Sequence, residues 1–391
     1  MKKYKSIQRS FKVEYNYQLQ FTENLFGANN PLFHDIFAAY GKNGGVKVLF
    51  VIDKGVLKAH PTLKNKITAY CQKFADQVLL TQILEVTGGE ETKNDHDNVL
   101  KVLAGVNDSH IDRHSFIVAV GGGAVIDMVG YAAAIAHRGV KLIRIPTTTL
   151  SQNDSAVGVK NSINIFDKKN FLGTFAPPYA IINDTDFLHT LEHRDWISGV
   201  AEAIKVALIK DESFFDFLEK NAAALNNREM EPMQYLIYRC AEMHMDHIAN
   251  GGDPFEGGSS RPLDFGHWAA HKLEYMTDYK MRHGEAVAVG MALDLTYTHL
   301  IGLIDGDTLR RILKVLETIG FDLHIPLETE SDINALLAGI EEFREHLGGE
   351  LTITLTSKIG TKHDVHEIDV QKMRDAISML NNLYQPKMSY F

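Results

Sequence analysis

In the first half of the chain the hydrophobic residues come in short β-branched runs. They are Val46-Lys47-Val48-Leu49-Phe50-Val51-Ile52, closed by Asp53; Gln77-Val78-Leu79-Leu80; Phe116-Ile117-Val118-Ala119-Val120; Lys141-Leu142-Ile143-Arg144-Ile145; and Tyr179-Ala180-Ile181-Ile182. Helical patterns lie between them, so this half predicts parallel strands joined by crossover helices. From Leu188 the period changes to that of long amphipathic helices, as in residues 196–210, 230–249 and 286–303. One late strand or hairpin arm is expected at Glu350-Leu351-Thr352-Ile353-Thr354-Leu355, and the acidic stretch 328–332 reads as a capped helix start. The pattern predicts an α/β, Rossmann-like N-terminal domain over residues 1–187 and a mostly α-helical C-terminal domain over 188–391. A chain of 391 residues exceeds the length over which one core usually keeps growing, which fits two domains.

Composition narrows the function classes. With 45% hydrophobic residues there is material for two cores, and a net charge of -10 argues against a surface built to neutralise nucleic-acid phosphate. No run of 18 apolar residues occurs, and Met1-Lys2-Lys3-Tyr4-Lys5 lacks the apolar stretch of a signal peptide, so no membrane partner is expected and the cytoplasm is the expected compartment. Cys71 and Cys240 are too few and too scattered for a disulfide framework or a cysteine zinc site. Most of the 18 histidines are expected at the surface.

Two groups of residues carry candidate chemistry. Gly121-Gly122-Gly123 directly follows the Phe116–Val120 run and opens a small-residue helix that contains Asp127. Glycines at a strand-to-helix turn let backbone N–H groups and a helix N-terminus approach a diphosphate, although the spacing is not G-x-G-x-x-G and a tight turn without a ligand is the plain alternative. Asp53, at a strand end, suits either ribose hydroxyls or a helix N-cap. The stretch Gly89-Glu90-Glu91-Thr92-Lys93 reads as a charged loop, and Lys168-Lys169-Asn170 as a phosphate-facing turn. The second group is Glu202 with Lys205, His267 with His271, and His283-Gly284-Glu285. His267 and His271 share a helix face at i,i+4, and Glu202 and Lys205 at i,i+3. Two imidazoles and one carboxylate with an open position make a catalytic zinc arrangement. Singly, each residue has an ordinary explanation as a core, cap or surface group; jointly they point to a metal site. Trp268, Phe265 and the methionines of 230–245 read as packing.

Together these motifs resemble the sugar-phosphate cyclases, the family of 3-dehydroquinate synthase, along most of the chain. The resemblance runs through Asp53, Gly89-Glu90, the triple glycine, Pro146-Thr147-Thr148, the segment from Asp154 to Lys160, Lys169-Asn170, Glu202 with Lys205, and the His267 and His283 motifs. It implies Glu202, His267 and His283 as metal ligands. It implies Asp53, Glu90, Lys93, Gly122, Gly123, Asp127, Thr147, Thr148, Lys169 and Thr190 as NAD contacts. Asp154, Lys160, Asn170, Lys205, Glu256, Arg261, Asp264 and His271 then fall in the substrate pocket, and Arg138 matches an arginine that reaches the neighbouring subunit's site, which implies a homodimer. The implied cofactors are NAD and a divalent metal, most simply Zn²⁺, with Co²⁺ or Mn²⁺ compatible with the same donors. The implied reaction converts a phosphorylated ketose-type sugar to a carbocycle by transient oxidation, phosphate elimination, reduction and aldol closure, with NAD recycled.

The chain also departs from the dehydroquinate synthase pattern. Asp264 stands where those enzymes carry Asn. Only His244 or His247 could replace a lysine upstream of the acidic loop, and Gly348-Gly349-Glu350 stands in place of a late lysine cluster. Two missing cations matter beside an anion, because each charge-assisted hydrogen bond is worth roughly 1.5–3 kcal/mol. The motif Arg261-Pro262-Leu263-Asp264-Phe265-Gly266-His267 resembles cyclases that act on sedoheptulose 7-phosphate. These departures predict a divergent branch serving secondary metabolism. The alternatives are an iron-type polyol or glycerol dehydrogenase, which would turn over free NAD(H), and a non-catalytic homologue acting as a binding protein.

Overall fold

The computed structural model describes residues 6–40, 44–166, 168–255 and 262–385. Ten strands occur among them: β1 (Gln18–Thr22), β2 (Val46–Asp53), β3 (Val78–Val86), β4 (Phe116–Gly121), β5 (Lys141–Pro146), β6 (Lys160–Ile165), β7 (Lys168–Phe175), β8 (Ala180–Asp184), β9 (Ile353–Lys358) and β10 (Thr361–Val365). Six form one parallel sheet in the order β1-β8-β5-β4-β2-β3. Side chains of a strand alternate between faces, and both faces here are buried, which explains the near-continuous apolar runs. Val48, Phe50 and Ile52 enter one core with Val118 and Val120; Leu49 and Val51 enter the other with Ile117 and Ala119. The late arm forms a two-stranded hairpin, β9 with β10, that begins at Ile353 rather than Glu350.

The strands expected from the sequence are present. The run at Gln77 extends further, to Val86. Two features lay outside the expectation: β1, a polar edge strand, and the antiparallel hairpin β6–β7. Lys168-Lys169-Asn170 therefore begins a strand and is not a turn. Its polar, half-exposed residues hide it from any pattern of hydrophobic alternation. Likewise Glu91–Asn94 is one helical turn, where the sequence suggested a loop.

The sheet-face cores draw on residues up to Phe187, whereas the third core, from Leu188 onward, is helical. Helices His193–Lys210, Met230–Asn250, His267–Met276 and His283–Leu300 build it. His283–Leu300 is buried on every side, as expected of a helix apolar all round. The stretch 328–332 does start a helix, with Thr329 and Asp332 forming a reciprocal capping box. No helix among the described residues is long and apolar enough to cross a membrane.

Candidate active site

Three glycines let the helices that carry the candidate ligands touch. A Cβ on Gly284 would lie 2.1 Å from the Ser198 carbonyl, and one on Gly290 would lie 2.1 Å from the Gly266 carbonyl. Gly266 itself has φ +77, a left-handed conformation that glycine adopts without strain, and it directly precedes the helix that begins at His267. Close backbone approach at these points brings Glu202, His267 and His283 together, with one donor atom from each lying within 4.8 Å of the others.

The cluster suits a cation. Glu202 Oε1 is 3.6 Å from His267 Nε2 and 3.5 Å from His283 Nε2. Donors placed about 2.0–2.1 Å from a tetrahedral ion stand roughly 3.3–3.4 Å apart, so this spacing is that of ligands sharing a metal. Glu202 is buried; burial opposes its ionisation, but Lys205 and His283 outweigh that and hold its pKa at about 2. Burial, reinforced by Lys205, keeps His267 neutral, the form that ligates. His283 is only partly exposed, and its desolvation disfavours its charge, yet Glu274 and Glu202 raise its pKa to about 9. A site that draws a proton this strongly would draw a metal cation in the same way.

Behind the ligands stand groups that orient them. His267 Nδ1 lies 3.1 Å from the Phe265 carbonyl. His283 Nδ1 lies 3.3 Å from Glu274 Oε2, and Glu274 Oε1 accepts from Lys169 Nζ at 3.0 Å. This is the carboxylate–histidine arrangement that fixes the tautomer and ring orientation of a metal-binding imidazole. Sequence reasoning missed Glu274, although it lies three residues after His271 and seven after His267, on one face of their shared helix. Trp268 is buried as expected but also has a polar task. Its Nε1 donates to Asp294 Oδ1 at 2.8 Å, and the Gly266 amide donates to Asp294 Oδ2 at 3.1 Å. Asp294 thus ties down both neighbours of His267, which nothing in the sequence signalled.

Further residues named from the sequence surround the cluster. Lys205 pairs with Glu202, and Asp154 and Asp264 also stabilise its ammonium against burial. Asp154 Oδ1 lies 2.9 Å from His244 Nδ1, so His244, rather than His247, is the histidine that meets this carboxylate. His271 is exposed on the first turns of the His267 helix, its ring stacked 6.1 Å from that of His283. Lys160 is exposed at the start of β6. Glu256 and Arg261 lie outside the described residues.

On the sheet side, Gly122 caps the helix Gly123–Ile135 with no side-chain bond to its first amides, which suits an anion at that N-terminus. A Cβ on Gly123 would meet Ser155 Oγ at 2.5 Å. Lys93 Nζ is 3.0 Å from Asp127 Oδ2 and bonds Asn170 Oδ1, while Glu90 accepts from Asn164 at 3.0 Å. The Thr147 amide donates to the Gly121 carbonyl at 3.0 Å, and Thr148 Oγ1 bonds Ser151 Oγ at 2.8 Å. Asp53 caps the helix Lys54–Ala59, accepting from the Gly55 amide at 2.7 Å. Two residues sit apart from this group. The Thr190 hydroxyl bonds His60 Nε2 at 2.8 Å. Arg138 is exposed beyond the far end of the helix Gly123–Ile135, about 20 Å along the axis from the glycine turn.

Known proteins share this layout. A family model described as 3-dehydroquinate synthase N-terminal matches residues 83–198, and one described as 3-dehydroquinate synthase C-terminal matches residues 199–341. A 3-dehydroquinate synthase of Dictyoglomus thermophilum is 35% identical over 296 residues, 75% of this chain and 81% of that protein. Among solved structures, ValA, a 2-epi-5-epi-valiolone synthase from Streptomyces hygroscopicus with NAD+ and Zn2+ bound, is 27% identical with a TM-score of 0.86, covering 96% of this chain and 100% of that one. A probable glycerol dehydrogenase from Sinorhizobium meliloti shares the fold alone, at 15% identity and a TM-score of 0.61 over 94% of this chain and 97% of that one.

Proposed function

The chain belongs to the 3-dehydroquinate synthase family, and from that premise we propose that it is an NAD- and metal-dependent sugar-phosphate cyclase whose substrate is a phosphorylated ketose without a carboxylate beside the ketone. The observation that carries this reading is the Glu202–His267–His283 cluster at ligand spacing, with Lys205 one turn away and a glycine-turn helix N-terminus on the sheet side.

The residues fit both groups. Glu202, His267 and His283 would hold the metal, while Gly122, Gly123, Asp127, Lys93, Thr147 and Thr148 would line the nucleotide. When bound, the two supply Lewis-acid polarisation and a reversible hydride acceptor. The chain's own side chains do the rest. Lys205, kept charged by three carboxylates, and Lys160 offer ammonium donors to phosphate and developing oxyanions. His271, exposed beside the cluster, offers an imidazole that can pass a proton. Asn170 and Lys169 border the pocket from β7, with Lys169 secured to Glu274. Phosphate departure followed by ring closure in one site needs no other nucleophile from the protein.

The absent carboxylate follows from charge. His244 is engaged by Asp154, Lys205 by Glu202, and Lys93 by Asp127, while Asp264 adds a further anion near Lys205. A substrate carrying both phosphate and carboxylate would find these cations already engaged by the protein's own carboxylates. In this reading Arg138 serves a second subunit's pocket, so the working unit is a homodimer.

The test is phosphate release by zinc-loaded protein with a trace of NAD, given in parallel 3-deoxy-arabino-heptulosonate 7-phosphate, sedoheptulose 7-phosphate and glucose 6-phosphate. The expected result is release from sedoheptulose 7-phosphate without accumulation of NADH. Steady NADH formation on a free polyol without phosphate release would overturn the cyclase reading, and preference for the carboxylated sugar would overturn the substrate class.

A further inference from the structure

Arg144 is fully buried in β5, and its four hydrogen bonds all converge on one segment of chain. Its Nη1 donates to the carbonyls of Ala156 at 2.8 Å and Gly158 at 2.5 Å; its Nη2 donates to the Lys160 carbonyl at 3.2 Å and to Asn161 Oδ1 at 2.7 Å. None of these acceptors is a carboxylate. We propose that Arg144 is a positioning residue for the turn that presents Asp154 and Lys160, setting the separation of these two side chains across the pocket. The inference rests on the functional reading above, in which Lys160 meets the sugar phosphate and Asp154 holds His244 beside it.

The turn needs an external brace. Residues Ser151–Ser155 wind as a π-helical turn, with the Ala156 amide bonded to the Ser151 carbonyl at 3.0 Å, a wide and uncommon geometry that occurs mostly at functional sites. Between that turn and β6 the chain is in neither helix nor sheet, so the buried carbonyl of Ala156 and the half-buried one of Gly158 call for a donor from elsewhere. A guanidinium is the side chain whose planar fork can satisfy four acceptors at once. Asn161 extends the brace: its Nδ2 donates to the Ala176 carbonyl at 3.1 Å, and a Cβ on Gly130 would lie 1.8 Å from its Oδ1. The helix that starts at the glycine turn and the turn that carries Asp154 are therefore referenced to the same cation. Burial lowers the Arg144 pKa only to about 10, so the brace remains charged at neutral pH. Burying a cation with no carboxylate hydrogen-bonded to it is costly, even with Asp127 offsetting part of that cost, and an apolar side chain would fill the space without it. Holding the segment is what an apolar side chain could not do.

R144Q, which can reach only part of this acceptor set, should lower kcat for phosphate release about 10²-fold, the cost of misplacing reacting groups by about 1 Å. Zinc content should not change, because none of the four hydrogen bonds of Arg144 reaches a helix that carries a candidate ligand. R144K, with the charge but no fork, serves if R144Q does not fold, and should fall similarly. In a K160A background the further effect of R144Q should shrink to less than about threefold, because the two changes disable the same unit. Amides of residues 156–161 should exchange hydrogen faster in R144Q than in the parent, a readout independent of catalysis. Activity of both variants within about threefold of the parent, full additivity with K160A, or unchanged exchange would each overturn the proposal. If the parent releases phosphate from no sugar phosphate, the functional reading fails, and the exchange experiment still decides whether Arg144 braces the turn.

Discussion

Glu274 offers the sharpest test of how the metal cluster is built. Replacing it with Gln keeps the volume and removes the charge that faces His283 Nδ1 at 3.3 Å. With metal bound, that carboxylate would hold the proton on Nδ1 and leave the Nε2 lone pair on the side of Glu202. Without the charge the ring loses both orientation and basicity, and partners of this kind are worth about 10–100-fold in metal affinity. At 1.4 kcal/mol per decade that is roughly 1.4–2.8 kcal/mol of binding free energy. The carboxylate also receives Lys169 at 3.0 Å, so a control must separate the two contacts. K169M removes the lysine and leaves the Glu274–His283 contact intact. Competition for Zn²⁺ between the stripped protein and a chelating dye, at fixed pH and salt, measures the affinities. E274Q is expected to bind about 10–100-fold more weakly, and K169M within about threefold of the parent. Affinity of E274Q equal to the parent, or an equal loss in K169M, would refute the reasoning.

Further predictions concern the same neighbourhood. E202Q should lose zinc on dialysis, read by elemental analysis, and its metal-free form should melt lower, by up to about 3–5 kcal/mol of stability, because Lys205 loses the partner of its buried ion pair and keeps only Asp154 and Asp264. Asp294 has its pKa raised by burial to about 7. Between the unfolded carboxyl value and that point the folded state holds a proton that the unfolded state does not, so stability falls as pH rises from about 4 to 7, by of order 4 kcal/mol at most. D294N should flatten that slope in denaturant titrations, and an unchanged slope would assign it elsewhere. G290A would force a Cβ to within 2.1 Å of the Gly266 carbonyl; since backbone must move, a loss of about 1–3 kcal/mol in stability is expected, accompanied by weaker zinc binding.

The sequence made the sheet legible because its strands are buried on both faces and leave unbroken apolar runs. It hid β1 and β7, whose residues are polar or exposed: β1 is held by an edge pairing with β8 and β7 by its hairpin partner β6. The candidate ligands were legible for a similar reason of spacing, since i,i+3 and i,i+4 pairs on helices declare a shared face. Glu274 obeyed that spacing and went unnoticed because an acidic residue on a helix is ordinary. Asp294 and Arg144 could not be found in this way, because their meaning lies in partners 28 and 12–17 residues distant, and nothing local chose His244 over His247, since its partner Asp154 is 90 residues away. Asp53 shows the opposite limit. Its place at a strand end admitted two readings, and the bond to the Gly55 amide accounts for one of them without a ligand.

The contact between Lys169 and Glu274 joins a hairpin of the sheet half to the carboxylate that steers a metal ligand in the helical half. Two binding events that draw on one shared group are thermodynamically linked, and linkage is reciprocal: whatever factor nucleotide binding applies to metal affinity, metal binding must apply to nucleotide affinity. Each half of this chain would therefore act as an effector of the other, through a chain of two contacts that begins at Lys169 and ends at His283.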